Sequence, residues 1–208
     1  TYTNYLYVQL LTDFIHDVIA SPVDVITSGD SCAFTAMACM ADNTIFGKLI
    51  FISPDFVSRY QIGPTKNRKL AKFLFELPII GTLIYNICHN TKFLDDHIKT
   101  KYFANPYIVS STLMKGFYQS SHLNHSNGKY LFASIVGNYT TTALARAIKE
   151  INNNIVILYG TESTDGKRIA EEYQKLNPAV EIQGIPNTKR LPQIEQPNSV
   201  YSTTCIYL

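Results

Sequence analysis

The run Val23-Asp24-Val25-Ile26-Thr27 lies between Pro22 and Gly29 and leads almost directly into Ala33-Phe34-Thr35-Ala36-Met37-Ala38. A β-branched run between two breakers predicts a strand, and the small-residue segment predicts a helix, so only residues 28–32 are left to turn the chain. The pattern recurs. Lys48-Leu49-Ile50-Phe51-Ile52-Ser53 stops at Pro54, Ile155-Val156-Ile157-Leu158-Tyr159 precedes a helical pattern over 166–176, and Val180-Glu181-Ile182-Gln183-Gly184 predicts a last short strand. Near-continuous apolar strands alternating with helices predict a parallel sheet covered on both faces, an α/β fold.

Leu6, Leu10, Phe14 and Val18 recur at helical spacing and predict a helix over 3–19. Residues 55–139 contain helical pieces, near 66–76, 78–88, 93–103 and 107–123, and no convincing strand. The chain is therefore divided into a first part of the α/β core (1–54), a helical insertion (55–139) and a second part of the core (140–208), closed by a helix over 192–208. In the insertion, Ile79, Ile80, Leu83, Ile84 and Ile87 form an apolar face beside Phe73, Leu74 and Phe75. Packing as core is the preferred reading, ahead of lining a lipophilic pocket or touching a membrane. Lys66, Arg68, Lys69 and Lys72 read as the wet side of the same helix.

Eighteen Lys and Arg against sixteen Asp and Glu leave a net charge of +2, and no stretch gathers the like charges of a nucleic-acid arm, so no nucleic-acid partner is expected. Charged residues are only 16% of the chain, against roughly 25% on average, which suggests that part of the surface is covered. Cys32, Cys39, Cys88 and Cys205 show no metal-ligand spacing, so no metal or cofactor is expected, and they read as reduced thiols of a cytoplasmic protein. The longest apolar stretch, 73–88, is short for a membrane span and is interrupted by Glu76, Pro78 and Gly81, so a membrane partner is not expected. The chain opens on Thr1 inside a helical pattern, which suggests a cut gene product or a start within a domain.

Gly29-Asp30-Ser31-Cys32-Ala33 has the composition of a nucleophile elbow, where a hydroxyl stands on a sharp strand-to-helix turn among small neighbours. Ser31 is the displayed residue on that reading. On the plainer one it caps a helix beginning near Ala33.

With this turn, the strand ending Ile52-Ser53-Pro54, the strand ending Leu158-Tyr159-Gly160 and the terminal Leu191-Pro192-Gln193-Ile194-Glu195-Gln196-Pro197, the chain resembles the α/β-hydrolase superfamily over essentially its whole length. The resemblance implies a doubly wound, mostly parallel sheet of the α/β-hydrolase type, N-terminally truncated, with a helical lid insertion. It also implies Ser, acid and His on successive loops. Arg190 stands where the His is expected, and a guanidinium is no base near neutral pH. Ser163 stands where the acid is expected, with Glu162 and Asp165 beside it as shifted candidates. The backbone N–H of Cys32 is the candidate oxyanion donor, and the loop that supplies the other lies before this chain. Missing strands imply an uncovered sheet edge, which calls for a partner, a copy of the chain or a rearranged fold.

Three functional expectations follow. The first is a serine hydrolase of a small ester or amide, in which Ser31 attacks, Cys32 holds the oxyanion and Glu162 or Asp165 works with an unidentified base. The second is a non-catalytic module in which Arg190 opposite Ser31 binds an anionic ligand, and the third is a degenerate product without selected activity. His16, His89, His97, His122 and His125 read as surface residues, with His122 and His125 the one pair at i, i+3 spacing.

Overall fold

Four parallel strands, Val23–Ser28 (β1), Phe46–Ile52 (β2), Ile155–Gly160 (β3) and Glu181–Ile185 (β4), pair in the order β1-β2-β3-β4. The computed structural model describes residues 1–208 except the side chain of His125, so the reading of that histidine as a surface residue lies outside the described residues. Helices follow in chain order as α1 (Asn4–Asp13), α2 (Ser31–Ala41), α3 (Lys66–Glu76), α4 (Ile80–Cys88), α5 (Thr91–Tyr102) and α6 (Ser111–Ser121). They continue as α7 (Leu123–Ser126), α8 (Gly128–Val136), α9 (Leu144–Glu150), α10 (Gly166–Leu176), α11 (Pro192–Glu195) and α12 (Pro197–Tyr207). Two compact units result. Asn4–Gln61 with Thr142–Leu208 holds the sheet, α1, α2 and α9 to α12, and Thr1–Thr3 with Ile62–Thr141 holds α3 to α8.

In the sheet unit, alternate residues of β2 and β3 point to opposite faces, and both faces are buried. Leu49, Phe51, Ile155 and Ile157 join one core with Cys32, Ala36, Ala147, Ile148 and Tyr173, while Ile50, Ile52, Val156 and Leu158 join a second with Ile185 and Val200. The sheet is thus doubly wound, as an apolar run without polar alternation demands. Small residues let α2 lie close, with Ala33, Ala36, Ala38 and Cys39 almost fully buried. Register between β1 and β2 is held by Asp24, whose Oδ1 accepts the N–H of Lys48 at 2.6 Å and occupies the space a side chain at Gly47 would need.

The N-terminal helix departs from the simple pattern. Its last turn, Phe14–Ile19, widens to a π-helix and ends on Ala20 in the left-handed region. The packed side carries Val8, Leu11 and Ile15, and the expected stripe Leu6, Leu10, Phe14 and Val18 is exposed. Residues 55–61, read from the sequence as the start of the helical block, stay with the sheet unit. Glu172 of α10 accepts the N–H groups of Val57 (3.1 Å) and Ser58 (3.3 Å), and Val57 and Tyr60 are buried.

In the helical unit, α3 and α4 meet at a 98° bend. Gly81 permits it, since a Cβ there would lie 2.0 Å from the Phe75 carbonyl. Lys129 of α8 reaches the carbonyls of Leu77 and Pro78 just past the end of α3 and donates to Thr82 Oγ1 at 2.7 Å, a cation placed where a helix C-terminus favours one.

Candidate functional site

The strand ladders run one residue past the strands and set three backbone positions side by side at the carboxyl edge of the sheet. Gly29 N–H donates to Ile52 O at 3.0 Å, Ser53 N–H to Leu158 O at 2.8 Å, and Thr161 N–H to Ile185 O at 3.1 Å. This is the edge at which open α/β sheets hold ligands.

The strand-to-helix turn is made by Gly29, not by Ser31. Gly29 has φ +61°, and a Cβ built there meets nothing within 4 Å. Asp30 occupies the N-cap position of α2, and Ser31 is the first helical residue, two positions beyond the left-handed bend. Both sequence readings of Ser31 therefore shift, because the residue on the bend is Gly29 and the residue at the cap is Asp30. The Ser31 carbonyl accepts the hydroxyl of Thr35 at 2.8 Å, and no described residue hydrogen-bonds the Ser31 hydroxyl.

Around the turn lies a charged chain that links distant parts of the sequence. Asp30 Oδ1 accepts the hydroxyl of Tyr60 at 2.6 Å and pairs with Arg59 Nη1 at 3.2 Å. Arg59 also pairs with Asp55, and the other carboxylate oxygen of Asp55 pairs with Arg190. The Tyr173 hydroxyl donates to the Asp55 carbonyl at 3.0 Å, fixing the backbone just past β2. Burial and the Asp30 carboxylate push the Tyr60 hydroxyl far above its usual range, so it acts as a fixed donor.

The other expected site residues do not gather on Ser31. Arg190 is committed to Asp55. Glu162 and Asp165 lie on the β3–α10 loop, where Glu162 accepts the hydroxyl of Thr161 (3.3 Å) and exposed Asp165 pairs with Arg168 (2.7 Å). The N–H of Cys32 donates to Gly29 O at 3.1 Å, so in this conformation it serves the helix turn. The Cys32 thiol is almost fully buried and is pushed up to about 12, chiefly by burial, with Asp30 adding a smaller push. It is thus no thiolate at neutral pH.

Residues the sequence reading passed over complete the edge. Ser53 sits at φ +47° with its hydroxyl buried and unpartnered. Gln193 Nε2 donates to Ser28 Oγ at 3.2 Å while its own Oε1 is buried without a partner. Beside them a shallow groove of about 400 Å³ runs along Ile26, Ser28, Gln193, Pro197 and Tyr201. Ser53-Pro54-Asp55 directly follows an apolar strand, and the rule that ligands gather at strand carboxyl ends was the available signal for it. Among the described residues no group of three His, Cys, Asp or Glu side chains could hold a metal ion.

No family model matches the chain, and no curated protein matches its sequence. Solved structures do match. A meta-cleavage product hydrolase of Pseudomonas fluorescens superposes with a TM-score of 0.72 at 10% identity, covering 100% of this chain and 72% of that one. The fold is that of the α/β-hydrolases. A serine hydrolase from Cycloclasticus zankles superposes at TM-score 0.70 and 10% identity (98% of this chain, 70% of that one). A carboxylesterase structure from Nitrososphaera gargenis gives 0.65 at 12% (100% and 72%).

Proposed function

We propose that this α/β-hydrolase-fold chain binds a small ester or carboxylate at the carboxyl edge of its sheet and does not turn it over by serine chemistry. Gly29 on the left-handed bend is the observation that carries this reading. An elbow displays its nucleophile from the strained residue of the turn, and glycine has no side chain to display. Ser31, on the first turn of α2, has a hydroxyl that no described residue hydrogen-bonds, and an alkyl hydroxyl not engaged by a base is a poor nucleophile near neutral pH.

A bound carboxylate would compete with Asp55 for Arg190, which makes that ion pair the point where ligand and protein exchange partners. Four cysteines scattered without metal-ligand spacing favour a cytoplasmic location. The test is hydrolysis of p-nitrophenyl acetate and butyrate by the wild type and by Ser31→Ala. The reading expects identical traces, both at the buffer rate. Turnover that disappears with Ser31→Ala overturns it in favour of a serine hydrolase.

A further inference from the structure

The apolar face at the α3–α4 bend, expected from the sequence to be core, is exposed. Ile79 is 82% exposed, and Leu83 and Ile87, at i and i+4 along α4, are 60% and 59% exposed, with Phe73 and Ile80 open beside them. The opposite side of α4 supplies the packing. Gly81 and Tyr85 are buried, and Tyr85 donates its hydroxyl to Ser121 O at 2.8 Å while its ring stacks on His89. The helix is therefore satisfied from one side and presents a separate apolar ridge on the other.

The charges on α3, the helix that leads into this ridge, are mostly of one sign. Lys66, Arg68 and Lys69 are exposed on the first turns of α3. Between residues 62 and 94 the single acid is Glu76, and Lys72 pairs with it. On α3, Lys66 and Lys69 stand one helical turn before exposed Leu70 and Phe73, and among the described residues no acid pairs with Lys66, Arg68 or Lys69. An apolar ridge flanked by uncompensated Lys and Arg suits the boundary of an anionic bilayer, where the aliphatic groups enter the acyl edge and the cations meet lipid phosphates. No single helix of the described residues is long and apolar enough to cross a membrane, and the 98° bend turns the two short helices away from one axis.

We propose that α3, α4 and their connecting bend form a docking surface for a membrane containing anionic phospholipid, with Ile79, Ile80 and Leu83 inserted and Lys66, Arg68 and Lys69 at the headgroups. This inference is independent of the reading of the sheet edge.

Co-sedimentation of the full chain with phosphatidylcholine vesicles, with and without phosphatidylserine, tests it. Binding is expected to vesicles containing phosphatidylserine and to fall steeply with added salt. Replacing two headgroup cations, Lys66→Gln with Lys69→Gln, is expected to weaken partitioning roughly 30-fold at about 1 kcal/mol per cation. Ile79→Ser with Leu83→Ser is expected to abolish it, with circular dichroism as the folding control. The exposed lysine pair keeps the test decisive if the apolar variant misfolds. Failure to sediment with either vesicle overturns the proposal, as does binding indifferent to lipid charge and to the lysines. Self-association without vesicle binding, lost in the apolar variant, also overturns it and makes the ridge a contact between copies.

Discussion

Arg190 and Asp55, 135 positions apart in sequence, meet in an ion pair at the carboxyl edge of the sheet, with side chains 30% and 14% exposed. The guanidinium is thereby neutralised by a partner the fold itself supplies. Asp55 passes the link to Arg59, which also holds Asp30 beside the Gly29 bend.

Removing Arg190 leaves the poorly exposed Asp55 with Arg59 as its remaining cation. Arg190→Ala is expected to cost about 1–2 kcal/mol, between the values of exposed and buried pairs. A double-mutant cycle with Asp55→Asn, read by urea denaturation, should return most of that as coupling. A coupling near zero would mean the pair contributes no stability.

Two glycines at the same edge should respond unequally to a side chain. At Gly160 a Cβ would lie 2.0 Å from Lys189 O and 2.4 Å from Thr188 O, so Gly160→Ala must displace the loop after β4 and is expected to cost about 3 kcal/mol or more. At Gly29 a Cβ meets open space, and Gly29→Ala carries only left-handed backbone strain, about 1–2 kcal/mol. Denaturation midpoints of the two variants check the order.

Alkaline pH should unfold the chain earlier than its net charge suggests. Burial raises Cys32 and Cys39 from 9.0 to about 12, and lifts Tyr173 and Tyr60 above 10.0. The folded state holds these protons where the unfolded state releases them. The thiols' contribution is therefore fully present below about pH 9 and lost as pH rises from there toward 12, by at most about 1.4 kcal/mol per unit for fully buried Cys32, and the tyrosines' contribution begins to be lost above 10.0. A urea midpoint series over that range checks the sign. At pH 8, a value chosen about one unit below the free-thiol range, a thiol reagent should label exposed Cys205 and spare Cys32 until denaturant is added.

The helical unit should show the converse on the acid side. His89 is lowered from 6.5, first by burial and then by His122, against a raising hydrogen bond to the Tyr85 carbonyl. Its neutral form is the folded one, so stability is present above 6.5 and is lost as pH falls below it. Amide exchange in α4 and α8 should accelerate over that fall, and His89→Phe, which keeps the ring, should flatten the response.

The strands were legible because an apolar β-branched run between breakers has few alternatives, and β3 in particular spans almost the segment its residues imply. The strand-to-helix turn after β1 was legible as a turn, but its left-handed position was not. Gly-x-Ser fixes residue types, whereas the left-handed position is fixed by φ, and β1 runs on through Ser28 to place it on Gly29. That only glycine adopts such a bend without strain was a physical signal in favour of Gly29. On α1, spacing found an apolar stripe without telling which of two neighbouring stripes would be covered, and Val8, Leu11 and Ile15 took that place. Within the Asp30–Arg59–Asp55–Arg190 chain only the Asp55–Arg59 pair, at i, i+4, was local enough to read; Asp30 and Arg190 are brought to it by the βα crossovers, which no local pattern encodes.

The central claim is that the bend displays a glycine and the chain therefore carries no serine nucleophile. Intact-mass spectrometry after treatment of the folded wild type with a fluorophosphonate tests it most directly. The account predicts an unmodified mass, while a phosphonyl adduct mapped to Ser31 would contradict it.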